Sequence, residues 1–121
     1  MGNGVVLDAS TAGEKRRGAL QRELERWLPL LIEHLQPEQI ILFGSLNGAE
    51  VVEWSDVDLV IVQKTDLPFL KRVEEALLLI QPKVGVDLLI YTPEEFASLA
   101  IEQRFVREEI LGKGKKIYER R

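Results

Sequence analysis

"FGSLNGAEVVEWSDVDLVIV", Phe43 to Val62, sets a Gly-Ser step behind one apolar run and two aspartates, Asp56 and Asp58, at the mouth of another. The run before it, "QIILFG" at Gln39 to Gly44, is short, apolar and stopped by glycine, which reads as a buried strand. "VDLVIVQ" at Val57 to Gln63 is a near-continuous series of Val, Leu and Ile, the pattern of a strand covered on both faces as in α/β sheets. Between them, "SLNGAEVVEW" predicts a turn and a short helical segment, with room for an edge strand.

Working outward, Leu20, Leu24, Trp27, Leu28, Leu31 and Leu35 recur at three- and four-residue steps and predict an amphipathic helix from Gly18 onward. Pro29 predicts a kink or a fresh helix start near Leu28, and Pro37 the end of the element. "LPFLKRVEEALLLIQ" at Leu67 to Gln81 is a second helix, with Asp66 as its expected N-cap and Pro68 in the tolerant first turn. "VGVDLLIYT" at Val84 to Thr92 is a third buried strand. The stretch "TPEEFASLAIEQRFVREEIL" then opens with a capping box, Thr92 as cap and Glu95 at N3, and predicts one further helix. "KKIYE" at Lys115 to Glu119 adds a short final strand. Helices alternating with buried strands give an α/β (α+β) domain, a small mixed sheet packed with helices.

With 121 residues, 45% hydrophobic and 30% charged, the chain has the composition of one soluble globular domain with one core. Residues 1–12, rich in Gly and small side chains, read as a loose arm ahead of a domain spanning 13–121. No apolar stretch reaches membrane-span length, and the N-terminus lacks the pattern of a signal peptide, so a cytoplasmic location and no membrane partner are expected. The absence of cysteine excludes disulfides and thiolate metal sites. A net charge of -4 argues against direct nucleic-acid binding and puts small molecules or proteins first. The basic clusters "EKRR" at Glu14 to Arg17 and "KGKKIYERR" at Lys113 to Arg121 read as solvated faces, with a phosphate-facing patch as the alternative.

Asp56 and Asp58, two residues apart, would project from one face of a strand about 6.5 Å apart. At an effective dielectric of 20 their repulsion is about 2.5 kcal/mol, so a cation should occupy the space. Asp87 repeats the anomaly in "VGVDLLIY". If the two strands are neighbours, three carboxylates converge as hard oxygen ligands suited to Mg²⁺ or Mn²⁺ and not to zinc. Taken singly, Asp56 reads equally as a turn or cap and Asp87 as a strand-end residue bonded to amides. Gly44 and Ser45 can present backbone N–H groups and a hydroxyl to an anion.

These residues, Gly44-Ser45, then Ser55-Asp56-Val57-Asp58-Leu59, then Asp87 in "VDLLIYTPEEF", resemble the motif set of the DNA polymerase β-like nucleotidyltransferases, and more closely the minimal nucleotidyltransferases. The resemblance runs from about Gly18 to Glu119 and implies the polymerase β-like nucleotidyltransferase fold. It implies transfer of a nucleoside monophosphate, AMP from ATP, to an acceptor hydroxyl with two Mg²⁺ ions (or Mn²⁺). By the same resemblance Asp56, Asp58 and Asp87 are the catalytic and metal residues, and Gly44, Ser45 and Ser55 bind the nucleotide. It further implies a small helical HEPN-type toxin protein as acceptor and an antitoxin role in a toxin-antitoxin system. A homo-oligomer is compatible with it. The alternative is a catalytically weak nucleotide-binding antitoxin or complex subunit acting by protein binding. One departure bears on that choice: where many members carry arginines after Gly-Ser, this chain has Leu46, Asn47 and Gly48, leaving Lys64, Lys83 or the C-terminal lysines to substitute.

Of the remaining residues, His34 reads as capping or exposed at a helix C-terminus. Trp27 reads as core. Trp54 reads first as a packing residue, with stacking on a base as the alternative. Tyr91 and Phe96 read as core or interface residues.

Overall fold

The apolar runs become strands with the expected boundaries to within two residues. In the computed structural model, which describes residues 9–48 and 50–121, the chain forms α1 (Ala9–Leu35), β1 (Gln39–Phe43) and a 3-10 turn (Ser45–Asn47). There follow β2 (Val57–Val62), α2 (Phe69–Ile80), β3 (Val86–Tyr91), α3 (Pro93–Glu102), a π-helical turn (Val106–Gly112) and β4 (Lys115–Glu119). The strands form one mixed sheet in the order β3-β2-β1-β4, with β2 and β3 parallel and both other pairs antiparallel. Both faces are covered, as the unbroken hydrophobicity of β2 requires. Leu20, Trp27 and Leu31 of α1 and Ala76 and Ile80 of α2 bury Ile40, Leu59, Ile61 and Ile90 on one face. Phe96 of α3 and Val106 and Ile110 of the π-helical turn bury Ile41, Phe43, Val60 and Val62 on the other.

Several local expectations are corrected. Helix α1 begins at Ala9, so residues 9–12, read as part of an arm, are helical; residues 1–8 lie outside the described residues. The helix passes through Pro29 without restarting at Leu28. Proline removes only the bond to the Glu25 carbonyl, and Glu25 and Pro29 are exposed, so water can serve that carbonyl while buried Trp27 and Leu31 hold the helix in place. The helix stops where expected: Gln36 turns left-handed at φ 51 directly before Pro37, which disfavours the helical conformation in its predecessor. Helix α2 is capped by Pro68 rather than Asp66, with no side-chain hydrogen bond at the cap. The single helix expected from Pro93 breaks at Gln103, in extended geometry, so that Val106 and Ile110 can turn into the core. No edge strand forms among residues 50–56; β3, expected as a buried strand, is itself an edge of the sheet, with Leu88 and Ile90 buried and Asp87 exposed. The Thr92–Glu95 capping box is present in both directions, at 3.1 and 2.8 Å.

Two ionic latches tie the helices to the sheet. Buried Arg72 of α2 donates to the Leu67 and Ile90 carbonyls at 2.7 and 3.1 Å and to both oxygens of Glu95, at 2.6 and 3.2 Å, joining α2, β3 and α3. Glu23 of α1 accepts two bonds from Arg26, at 2.8 and 2.9 Å, and the Lys83 backbone N–H at 2.7 Å, fixing α1 to the loop before β3. The buried Trp27 indole N–H forms no hydrogen bond but lies close enough to favour the charge on Glu23. The Arg26 bonds, opposed by burial and aided by the Lys83 amide, lower the Glu23 pKa to about 2 from 4.5. A depressed carboxyl pKa stabilises the fold above the unfolded value and ceases to do so as pH falls through the folded one. Glu23→Gln should therefore lower the urea midpoint at pH 7, with the gap to wild type closing between pH 4.5 and 2; a gap independent of pH would contradict the latch.

Candidate active site

The sheet register brings the motif residues to one end. Asp58 pairs in register with Asp87 across the parallel β2–β3 ladder and with Phe43 across the antiparallel β1–β2 ladder. In-register residues share a face, so both carboxylates lie on the face covered further along by α3 and the π-helical turn. Asp56 lies one residue before β2, not within it, where the Val57 N–H bonds the Gly85 carbonyl at 3.1 Å.

Two glycines make room for these side chains. Gly44 has φ 73 and ψ -155, a conformation suited to glycine, and a Cβ there would collide with the Asp58 carboxylate. A Cβ on Gly85 would collide likewise with Asp56. Gly44 was legible as a strand stop; the need for Gly85, two residues ahead of Asp87, was not read from the sequence. A glycine at a strand mouth beside an aspartate was the available signal.

The carboxylates differ in their surroundings. Asp58 is half-buried, and burial first, then the charges of Asp87 and Asp56, push its pKa up to about 6. Among the described residues, the cation expected between the aspartates is supplied to Asp56 alone: Arg16 of α1 lies 3.7 Å from it and donates to the Ser55 carbonyl at 2.8 Å. Arg17 donates to the carbonyls of Leu46 and Gly48 at 3.4 and 3.0 Å. Arg16 and Arg17 of the "EKRR" cluster are thus built into the two site loops, while Glu14 and Lys15 are exposed as a solvated face would be. The two arginines stand beside the residues where arginines were missed, whereas Lys64, at the far end of β2, pairs with Glu38.

The remaining motif residues have structural roles. Buried Ser55 accepts the Val52 N–H at 2.9 Å, which closes the turn before Asp56. Leu46 is a core residue, and Asn47 donates to the Lys113 carbonyl at 2.7 Å, pinning the Gly-Ser turn to the segment before β4. Ser45 opens the 3-10 turn, partly exposed. Trp54, read first as a packing residue, is 74% exposed at the tip of the Val52–Ser55 turn. His34 is exposed in the last turn of α1, and Trp27 is fully buried.

Among the described residues no three acidic or imidazole groups converge closely enough to hold a metal ion as arranged. The donor set nevertheless suits a hard divalent cation: three carboxylates within electrostatic reach, the half-buried one destabilised by its like-charged neighbours, and two glycines against whose backbone Asp58 and Asp56 are seated. Asp56 would have to exchange Arg16 for the ion.

A family model described as Polymerase beta, Nucleotidyltransferase matches residues 25–121. The chain belongs to this nucleotidyltransferase family. Among solved structures, a candidate nucleotidyltransferase from Sulfolobus solfataricus superposes with a TM-score of 0.60 at 13% identity, over 99% of this chain and 93% of that one. At that identity the likeness shows the fold. Comparison with curated protein sequences finds no match.

In this nucleotidyltransferase domain the raised pKa of Asp58 means that ionising it opposes folding: its contribution to stability falls as pH rises from about 4 towards 6 and stays lowered above. Asp58→Asn should raise stability at pH 7.5 in EDTA by about 1 to 2 kcal/mol after allowance for solvent screening, with no gain at pH 3.5. Equal denaturation midpoints for the two proteins at pH 7.5 would contradict the electrostatic picture of the site.

Proposed function

We propose that the chain transfers a nucleoside monophosphate, AMP from ATP, to an acceptor hydroxyl in the cytoplasm, using Asp56, Asp58 and Asp87 with Mg²⁺ or Mn²⁺. The observation that carries this reading is the placement of Asp58 against Asp87 on adjacent parallel strands, directly beside the side-chain-free Gly44. Asp58 and Asp87, joined by Asp56 once Arg16 releases it, would hold two divalent ions. When bound, such ions neutralise the phosphate charge and stabilise the attacking and leaving oxygens of an in-line displacement.

The chain's own residues supply position and proton transfer. Gly44 and Ser45 present the turn to the triphosphate, with the Ser45 hydroxyl as a donor, and Ser55 supports the site by closing the turn that aims Asp56. The acceptor oxygen bonds to the α-phosphorus, its proton passes to Asp87, and the bond to the bridging oxygen breaks to release pyrophosphate. Catalysis of this kind needs chiefly positioning and charge stabilisation, which a domain of this size can provide. The resemblance supports a small helical HEPN-type toxin as acceptor and an antitoxin role for this chain.

A second reading has its own observation. Arg16 holds Asp56, and Leu46 and Asn47 serve the core and the loop instead of clamping phosphate. That arrangement supports a weakly catalytic subunit acting through protein binding. Incubation with α-labelled ATP, Mg²⁺ and a HEPN-type partner should label the partner, and Asp58→Ala/Asp87→Ala should reduce labelling by at least about 100-fold. Absence of labelling, with the variant still binding and neutralising the partner, would establish the binding reading instead.

A further inference from the structure

The turn from Gly44 to Gly48 has two sides, and only one faces the aspartates. On the other lies a groove of about 300 Å³ between α1, the end of β1 and the start of β4, lined by Arg17, Gln21, Leu42, Leu46, Asn47 and Lys115 among others. Leu42 follows Ile41 and precedes Phe43, both of which face α3 and the π-helical turn, so Leu42 points to the α1 side. Lys115 is its in-register partner across β1–β4 and shares that side. The groove is therefore separated from Asp58 and Asp87 by the thickness of the sheet.

Its chemistry is that of an anion site. Among the described residues two cations line it and no carboxylate does, in a chain whose net charge is -4. The neighbouring lysines are neutralised, Lys113 by Glu109 at 2.9 Å and Lys116 by Glu119 at 3.0 Å, while Lys115 faces the groove. Among the described residues both hydrogen bonds of Arg17 go to carbonyls, which do not neutralise its charge, and further N–H groups remain on its guanidinium. Asn47, anchored to the Lys113 carbonyl, fixes the wall. Leu42 and Leu46 give the floor an apolar surface.

We propose that this groove binds a phosphate-bearing ligand, with Arg17 and Lys115 as its two cationic contacts, independently of the acidic site and of any divalent metal. Because Arg17 also holds the Leu46 and Gly48 carbonyls, a ligand here would bear on the turn that carries Gly44 and Ser45. The site stands whether or not the nucleotidyl-transfer reading does.

The test is titration of the chain with pyrophosphate and with ATP in EDTA, followed by amide shifts in NMR and by calorimetry. Binding should centre on Arg17, Asn47 and Lys115, weaken with added salt, and fall about tenfold in Lys115→Glu with a smaller loss in Lys115→Gln. Lys115 is exposed, so these variants keep the fold; Arg17→Lys, which keeps the charge but not the fork, should bind more weakly than wild type and better than Arg17→Gln. Asp58→Asn should bind normally in EDTA, which separates this site from the acidic one. Tighter binding of ATP than of pyrophosphate supports a nucleotide seated on the apolar floor, and equal binding supports free phosphate. No metal-independent binding of either probe, or binding indifferent to both Lys115 variants, overturns the proposal.

Discussion

Asp58 stands half-buried at the mouth of β2, in register with Asp87, with Asp56 two residues away, and the local structure is arranged around that concentration of negative charge. Gly44 must lack a side chain because the Asp58 carboxylate occupies the space, and Gly85 because Asp56 does. The same parallel pairing that joins β2 to β3 forces the two charges together, since any in-register ladder between these runs sets Asp58 against Asp87. At half-buried Asp58 a packing requirement would have been met better by valine, whereas Asp87 is exposed. The proton affinity of Asp58, pushed up to about 6, is the measure of how poorly the fold alone accommodates it.

Helix α1 is the counterweight. Its first half carries Arg16 and Arg17 to the loops on either side of the site, and its second half carries Trp27 and Leu31 into the core and Glu23 onto the loop before β3. Displacing Arg16 from Asp56 would cost the site a cation that a divalent ion replaces with a stronger one. The helix therefore links the electrostatics of the aspartates to the positions of both the Gly-Ser turn and the Ser55 turn.

The strands and their chemistry were legible because their signals are local. The runs at Gln39 and Val57 need no partner to be read as buried strands, and the Thr92–Glu95 box announces its helix within four residues; the run at Val84, with the same apolar signal, forms an edge strand instead, because no further strand pairs beyond it. What escaped the reading depends on tertiary contacts. The break at Gln103 has neither glycine nor proline to mark it and exists because Val106 and Ile110 must reach Ile41 and Phe43. Trp54 resembles a core residue in sequence, yet the turn closed by Ser55 leaves it exposed. Arg16 and Arg17 look like a solvated basic run; only the fold shows that they bind the carbonyls of Ser55 and Gly48, 39 and 31 residues away in sequence. The grouping of Asp58 with Asp87 was expected only on the condition that their strands are neighbours, a condition the β2–β3 pairing meets, whereas the diversion of Asp56 to Arg16 was not expected.

The central claim is that this acidic strand end is where a divalent cation and a nucleotide meet. Substoichiometric Mn²⁺ broadens the NMR signals of nuclei near its binding site, and in the presence of a non-hydrolysable ATP analogue the amides of Gly44, Asp58, Gly85 and Asp87 should broaden first and most. Broadening centred on other carboxylates, with these four amides unaffected, would contradict the account.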